Sequence, residues 1–261
     1  MVASKIRGLV HLSEEELDQP IYRIYALDRF KALVAAGQDA LVHPTKWDDP
    51  FENFMLARTE VQDPGSRTSI PLRNLAEDWY GQCWSLTCES DAMWRIYSPS
   101  GASRGVKVKT TIRRLFDNLT AVGPAEWPQQ FFVGRIRYVN QAELDQLMAR
   151  LTFADVAAGG QGTGFAELLC LKRDTFAHEN EVRLLFQDMA LPDPPRPRLG
   201  SAGVFKYALD AHYVFEDVVL DPRLEDTDFL AMKSELEAAG CRLPISKSSL
   251  YEVPRYVIPL A

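Results

Sequence analysis

Short runs of alternating apolar and polar residues recur along the chain. Each is the pattern of a half-buried strand, in which residues two apart share a face. The pattern predicts strands over 21–25, 40–43, 82–87, 106–109, 133–139, 181–186, 205–209 and 215–220, with closing strands over 243–246 and 256–260. Apolar spacings of three and four residues predict helices over 29–36, 91–97, 112–119, 141–151, 165–176 and 226–239, with a short helix over 72–79. Punctuation fits these limits. Asp28 stands where it can cap the first helix and Gly37 follows its end; Thr110 or Thr111 precedes the helix at 112, and Gly240 stops the last.

The strands are many and short, and helices fall between them without a steady strand–helix–strand rhythm. That favours an α+β domain over a doubly wound parallel sheet. The first twenty residues are polar and end at Pro20, so 1–20 reads as an N-terminal tail or a loosely docked short helix, and 21–261 as a single domain. Proline density makes the segment near 192–198 an extended, solvated excursion. The glycine-rich segment 158–164 reads as a flexible loop. It lacks the Gly-Lys-Ser/Thr ending with which a phosphate loop holds phosphates and Mg²⁺.

With 261 residues, 46% of them hydrophobic and 25% charged, the chain can bury a full core without metals or disulfides. A net charge of −7 speaks against a general nucleic-acid coat, although it leaves room for a local basic cleft. The four cysteines form no C-x-x-C pair, and only His178 stands near one of them, so no metal site is expected. There is no apolar run of ~18 residues and no leader-like N-terminus, so neither a membrane span nor secretion is expected. Free cysteines fit a reducing, cytoplasmic setting.

The chemistry-bearing residues cluster in a few strings. In Glu179-Asn180-Glu181-Val182-Arg183, strand alternation points Glu179, Glu181 and Arg183 one way and Val182, Leu184 and Phe186 the other. A carboxylate aimed from a strand into a cleft can hydrogen-bond a ribose hydroxyl. It can also stabilise the positive charge that develops when a glycosidic carbon loses its leaving group. The same residues could form a solvated Glu–Arg ladder. Arg23 offers a planar fork that fits phosphate. Set among apolar neighbours it needs a partner, either a ligand phosphate or an internal carboxylate such as Asp49 or Glu52. Ser85 and Thr87 share a strand face and could orient a catalytic glutamate, or be ordinary half-buried hydroxyls. Trp47-Asp48-Asp49-Pro50-Phe51-Glu52 is either an anchored corner or a ligand-facing loop. Trp94 and Tyr97 lie three apart on a helix, as core or as a stacking platform. There is no G-x-S-x-G elbow, and Cys170 with His178 leaves a Cys–His enzyme formally open.

Taken together, several strings resemble a bacterial family classed as a domain of unknown function. They are Tyr22-Arg23, Trp47-Asp48-Asp49-Pro50-Phe51-Glu52, Cys83-Trp84-Ser85, Met93-Trp94-x-x-Tyr97, Arg104-Gly105-Val106, and Lys172 followed by Glu179-x-Glu181-x-Arg183. They cover residues 20–190, and Asp48 stands where that family usually has Asn. The ordered set Arg23, Ser85-x-Thr87, Glu179-x-Glu181 further resembles the Arg–Ser–Glu class of ADP-ribosyltransferases.

That second resemblance implies two small, mostly antiparallel sheets around a cleft with flanking helices. It implies cleavage of the nicotinamide–ribose bond of NAD⁺ as substrate, with no metal. Arg23 would hold an NAD⁺ phosphate or ribose, and Ser85 with Thr87 would buttress the site. Glu181 would contact the nicotinamide ribose, and Glu179 would help choose the acceptor. Tyr22, Trp94 and Asp49 join Arg23 and Thr87 as candidate NAD⁺ contacts. The acceptor, whether protein, nucleic acid or water, and the oligomeric state are left open. The alternative is a non-enzymatic nucleotide-binding or protein-interaction module whose charged strand faces are structural. What separates the two is whether Arg23, Ser85 and Glu181 open into one cleft.

Overall fold

The computed structural model describes residues 7–47, 59–62, 69–71, 77–98, 104–121, 131–157, 162–189, 191–192, 195–196 and 198–259. Ten strands join in one sheet. In chain order they are β1 (Leu9–Val10), β2 (Pro20–Ala26), β3 (Gln38–Val42), β4 (Trp79–Ser85) and β5 (Gly105–Thr111). There follow β6 (Phe131–Arg135), β7 (Glu181–Gln187), β8 (Val204–Ala208), β9 (Asp217–Leu220) and β10 (Ile245–Lys247). Neighbours run β1-β6-β7-β4-β2-β5-β9-β10, and β3 pairs with both β4 and β8. Pairing is antiparallel except at the two ends, where β1 runs parallel to β6 and β9 to β10.

Two small sheets were expected; one large forked sheet forms. β4 gives one edge to β7 along its full length. It shares the other edge between two strands, Ser85 pairing with Tyr22 of β2 and Gly81 with Val42 of β3. A single strand therefore belongs to both branches, and they cannot separate. A two-stranded parallel ribbon, Arg137–Val139 with Leu171–Arg173, stands beside the sheet and carries Lys172.

Alternation along β7 divides the interior. Val182, Leu184 and Phe186 join Ile21, Tyr25, Trp84, Val106 and Val108 in the larger core. There Phe186 lies 4.3 Å from Phe205 and 4.9 Å from Phe131, ring centre to ring centre. Burying one such side chain contributes ~1.5–3 kcal/mol. The opposite face packs Trp79 and Leu185 against Phe132, Phe165, Leu169 and Cys170 in a smaller core. That smaller core fills only one end of its face; the other end carries charge.

Several elements differ from the sequence expectation. Of the two readings of the first twenty residues, 7–20 follow the docked one and add a strand: Leu9–Val10 joins the sheet, and the 3₁₀ turn Glu14–Asp18 buries Leu17 behind a Ser13–Glu16 capping box. Their few apolar residues find partners only across the chain. The expected helix 165–176 ends at Leu168 and gives way to the strand Leu171–Arg173 and the 3₁₀ turn Asp174–Glu179. The expected strand 133–139 breaks at Ile136 into pieces that pair with different neighbours. Trp79 begins a strand where a helix was expected, and 72–76 lie outside the described residues. Over 252–259 the chain is exposed and forms no strand. Asp28 sits inside the first turn of its helix with Ala26 at the cap, whereas Thr111 does cap its helix, accepting from the Arg114 amide at 3.2 Å.

Candidate active site

One row of residues crosses three neighbouring strands. Ser85 of β4 is paired with Tyr22 of β2 on one side and with Glu181 of β7 on the other. Directly paired residues in an antiparallel ladder project to the same face. Ser85, Glu181 and Tyr22 therefore share the face that carries charge, and so do Cys83 and Arg183, two pairs further along.

Glu181 is 2% exposed and both its carboxylate oxygens are held. Oε1 accepts from Arg183 Nε at 2.8 Å and lies 2.7 Å from Arg183 Nη2. Oε2 accepts from Lys172 Nζ at 3.1 Å. Burial pushes its pKa up, but Arg183, Lys172 and a hydrogen bond from Cys83 outweigh that and hold the carboxyl below the usual glutamate range. The backbone is fixed as well, since the Glu181 amide donates to Tyr138 Oη at 2.8 Å. Burial also pushes the Tyr138 phenol up to about 12, so it stays a neutral hydroxyl there.

Arg183 is locked from three sides. Its Nη1 donates to the Leu169 carbonyl at 2.5 Å, and its guanidinium lies 4.2 Å from the centre of the Trp47 ring. Gly81 makes room for that ring: a Cβ there would come within 2.6 Å of it. Trp47 is thus the described end of the Trp-Asp-Asp-Pro-Phe-Glu string, while Asp49, Phe51 and Glu52 lie outside the described residues.

Glu179 reaches the same place by another route. It does not belong to β7 but ends the 3₁₀ turn, and Asn180 reverses the chain at φ 44°, a left-handed conformation that Asn tolerates. Strand alternation therefore does not set its direction. The reversal brings its carboxylate to Lys172, whose Nζ lies 2.7 Å from Glu179 Oε2. Ser85 Oγ donates to the Glu179 carbonyl at 2.6 Å and accepts from the Thr87 amide at 3.0 Å. Thr87 lies just past the end of β4, so its backbone meets Ser85 and it does not form a second hydroxyl on a strand face.

Other residues divide between the site and the frame. Tyr97 is 41% exposed, and its phenol is pushed up by burial and by Glu179, Cys83 and Glu181 nearby. Trp94 is fully buried, with its indole N–H on Glu89 Oε1 at 2.6 Å; it anchors the helix and does not form a stacking surface. Tyr22 has the ammonium of Lys107 5.8 Å from its ring centre, and burial with Cys88 nearby raises its phenol to about 12.

Arg23 departs from the one-cleft expectation. It follows Tyr22 on β2, so alternation turns it to the opposite face, where its guanidinium lies 5.1 Å from the Tyr25 ring centre. Arg23 Nη1 donates to the Cys83 carbonyl at 2.7 Å, at the point where β4 lies between its pairings with β2 and β3. Asp39 gathers the polar groups of that fork, accepting from Tyr25 Oη at 2.9 Å and Gln82 Nε2 at 2.7 Å.

Ser85, Glu179 and Glu181 thus converge, with Tyr22 and Thr87 beside them and Arg23 behind the sheet. Sequence reasoning passed over Tyr138, had Lys172 only as a landmark, and read Tyr97 as core or as half of a stacking platform. Lys172 had a signal, its place ahead of Glu179-x-Glu181-x-Arg183 in the landmark set, whereas Tyr138 had none. Cys170 is fully buried and its thiol is pushed up to about 12 by that burial, which removes the thiolate a Cys–His enzyme needs. Among the described residues no group of three His, Cys, Asp or Glu could hold a metal. Among them, too, no helix is long and apolar enough to cross a membrane. A surface cavity of about 410 Å³ opens elsewhere, beside Glu143, Arg150 and Asp155, and none of the described site residues lines it.

No family model and no curated protein matches the chain, so the likeness to the domain-of-unknown-function family rests on its landmarks alone. Similar solved structures include Thermus sp. 2.9 DarT in complex with ADP-ribosylated ssDNA, at 14% identity and TM-score 0.38, covering 92% of this chain and 97% of that one. The same protein in complex with NAD⁺ aligns at 15% identity and TM-score 0.37, covering 88% and 96%. In complex with carba-NAD⁺ it aligns at 16% identity and TM-score 0.35, covering 90% and 96%.

Proposed function

We propose that the chain cleaves the nicotinamide–ribose bond of NAD⁺, as an ADP-ribosyltransferase or an NAD glycohydrolase. The observation that supports this is the pairing of Ser85 with Glu181 and the return of Glu179 to the same spot: Ser85 holds the Glu179 carbonyl, Arg183 holds the Glu181 carboxylate, and Lys172 lies between the two carboxylates. The bond between the ribose carbon and the pyridinium nitrogen breaks, and its electron pair leaves with neutral nicotinamide. Positive charge then builds on the ribose. Glu181 stabilises that charge, because it is ionised and preorganised where water is excluded. An acceptor nucleophile attacks the ribose carbon and gives up a proton, for which Glu179 is the nearby carboxylate. Ser85 holds Glu179 through its carbonyl. Tyr97, 41% exposed and close to Glu179 and Glu181, offers an aromatic face for a flat cationic ring. Arg23 acts indirectly, by fixing the strand edge that carries Cys83 and Ser85.

The reaction is tested by incubating the pure protein with NAD⁺ and measuring free nicotinamide, alone and with a protein lysate, single-stranded DNA or RNA as acceptor. Release above the buffer rate is expected. One observation favours the second reading, a non-enzymatic nucleotide-binding module: both oxygens of Glu181 are already engaged by cations. NAD⁺ binding without release in any arm would select that reading.

A further inference from the structure

We infer that Lys172 is a movable counter-ion, a positioning residue that leaves Glu181 for Glu179 when a cationic substrate enters. This rests on the NAD⁺ reading above. The two cations on Glu181 are not equivalent. Arg183 is fixed by two contacts to Oε1, by the Leu169 carbonyl and by the Trp47 ring. Lys172 is shared: its Nζ is 3.1 Å from Glu181 Oε2 and 2.7 Å from Glu179 Oε2. A lysine ammonium is a point charge on a flexible stem, so it can change partners without losing a fixed geometry. The Glu179 side also offers it a second attraction, since the Phe176 ring of the same 3₁₀ turn is centred 4.9 Å from Nζ.

Substrate entry sets the direction. The pyridinium of NAD⁺ and the developing oxocarbenium both bring positive charge to Glu181. With Arg183 in place, a third cation on that carboxylate is repelled, and Oε2 is the oxygen it can vacate. The handover frees Oε2 toward the ribose and keeps Glu179 neutralised until an acceptor arrives. Among the described residues, the other titratable groups around Glu181 are Cys83 on β4, Tyr97 on the helix Asp91–Tyr97, Tyr138 and Lys172 on the ribbon, Cys170 just before it, and Glu179 on the turn.

The test is a double-mutant cycle on nicotinamide release to water. Glu179→Gln removes the alternative site and leaves Lys172 on Glu181, so kcat falls on the order of tenfold, an effect of ~1.4 kcal/mol. Adding Lys172→Met to that variant raises kcat again, whereas Lys172→Met alone lowers it and moves the acid limb of the pH profile upward. Lys172→Arg keeps the charge and the thermal midpoint but lowers kcat, because a broad guanidinium bridges both carboxylates and does not let go. A merely structural salt bridge predicts that kcat recovers in the double variant only in step with the thermal midpoint. Recovery of kcat without recovery of the midpoint supports the inference. No recovery of kcat, or recovery that only tracks the midpoint, overturns it. A second arm does not need turnover. The carboxylate ¹³C signals of Glu179 and Glu181, assigned through their Gln variants, are followed as NAD⁺ is added. Opposite movements without nicotinamide release would keep the counter-ion and overturn the enzyme reading. Turnover with unmoved signals would do the reverse, and no NAD⁺ binding at all would overturn both.

Discussion

Ser85 and Glu181 stand directly opposite each other on β4 and β7, yet the serine hydroxyl serves neither oxygen of the Glu181 carboxylate. It donates to the carbonyl of Glu179, two residues earlier, and so ties the acidic turn to the strand that holds the buried carboxylate. One hydroxyl thereby sets the spacing of both glutamates.

Ser85→Ala should therefore act on Glu179 more than on Glu181. The Glu179 carbonyl and the Thr87 amide both lose a partner, which costs about 1–3 kcal/mol by urea unfolding. Transfer to an acceptor should fall more than release of nicotinamide to water. An equal fall in both would mean that Ser85 acts on Glu181 after all.

Glu181→Gln should lower kcat on the order of 10²–10³-fold with a smaller change in KM, since an amide stabilises developing positive charge poorly. It should also destabilise the fold by about 3–5 kcal/mol, because the buried Arg183 guanidinium is left facing a neutral amide, while Lys172 keeps Glu179. Rates are therefore compared well below the melting point of the variant. Unchanged nicotinamide release from the folded variant would end the catalytic role.

Acid should weaken the fold through the same carboxyl. The folded pKa of Glu181 lies below its ordinary value of 4.5. Its contribution is then complete above the ordinary value and is lost as pH falls through the lowered one. Urea midpoints measured downward from pH 6 should decline below the ordinary glutamate range, and the decline should be shallower in Glu181→Gln. Identical slopes would show that other carboxylates govern acid unfolding.

Arg23→Met should be a stability variant first. It removes the donor to the Cys83 carbonyl at the fork and a cation that Asp39 interacts with, at a cost of about 1–3 kcal/mol. KM for NAD⁺ should change less than kcat changes in Glu181→Gln. A large rise in KM at an unchanged melting point would instead give Arg23 the phosphate contact that the family resemblance implies.

How much of this was legible beforehand can be judged residue by residue. Strand periodicity correctly located the cores of β2, β4, β5 and β7, and with them the residue types at the site. It misjudged Glu179, because a period-2 pattern cannot register a left-handed Asn that ends one element and begins another. It joined Arg23 to Ser85 and Glu181 because order along the chain says nothing of register. Pairing Ser85 with Tyr22 instead of Arg23, a shift of one residue, decides which of the two faces the carboxylates.

The sequence by itself determined where β2, β4, β5 and β7 lie, since strand periodicity acts within a few residues, and that Arg, Ser and Glu recur at three of those strands; it did not determine the elements over 165–176 or 256–259. Only the tertiary structure decided which of them meet. The fork of β4, the parallel ribbon that delivers Lys172, and the stacking of Arg183 on Trp47 depend on contacts between residues far apart in the chain, and such contacts leave no local period to read.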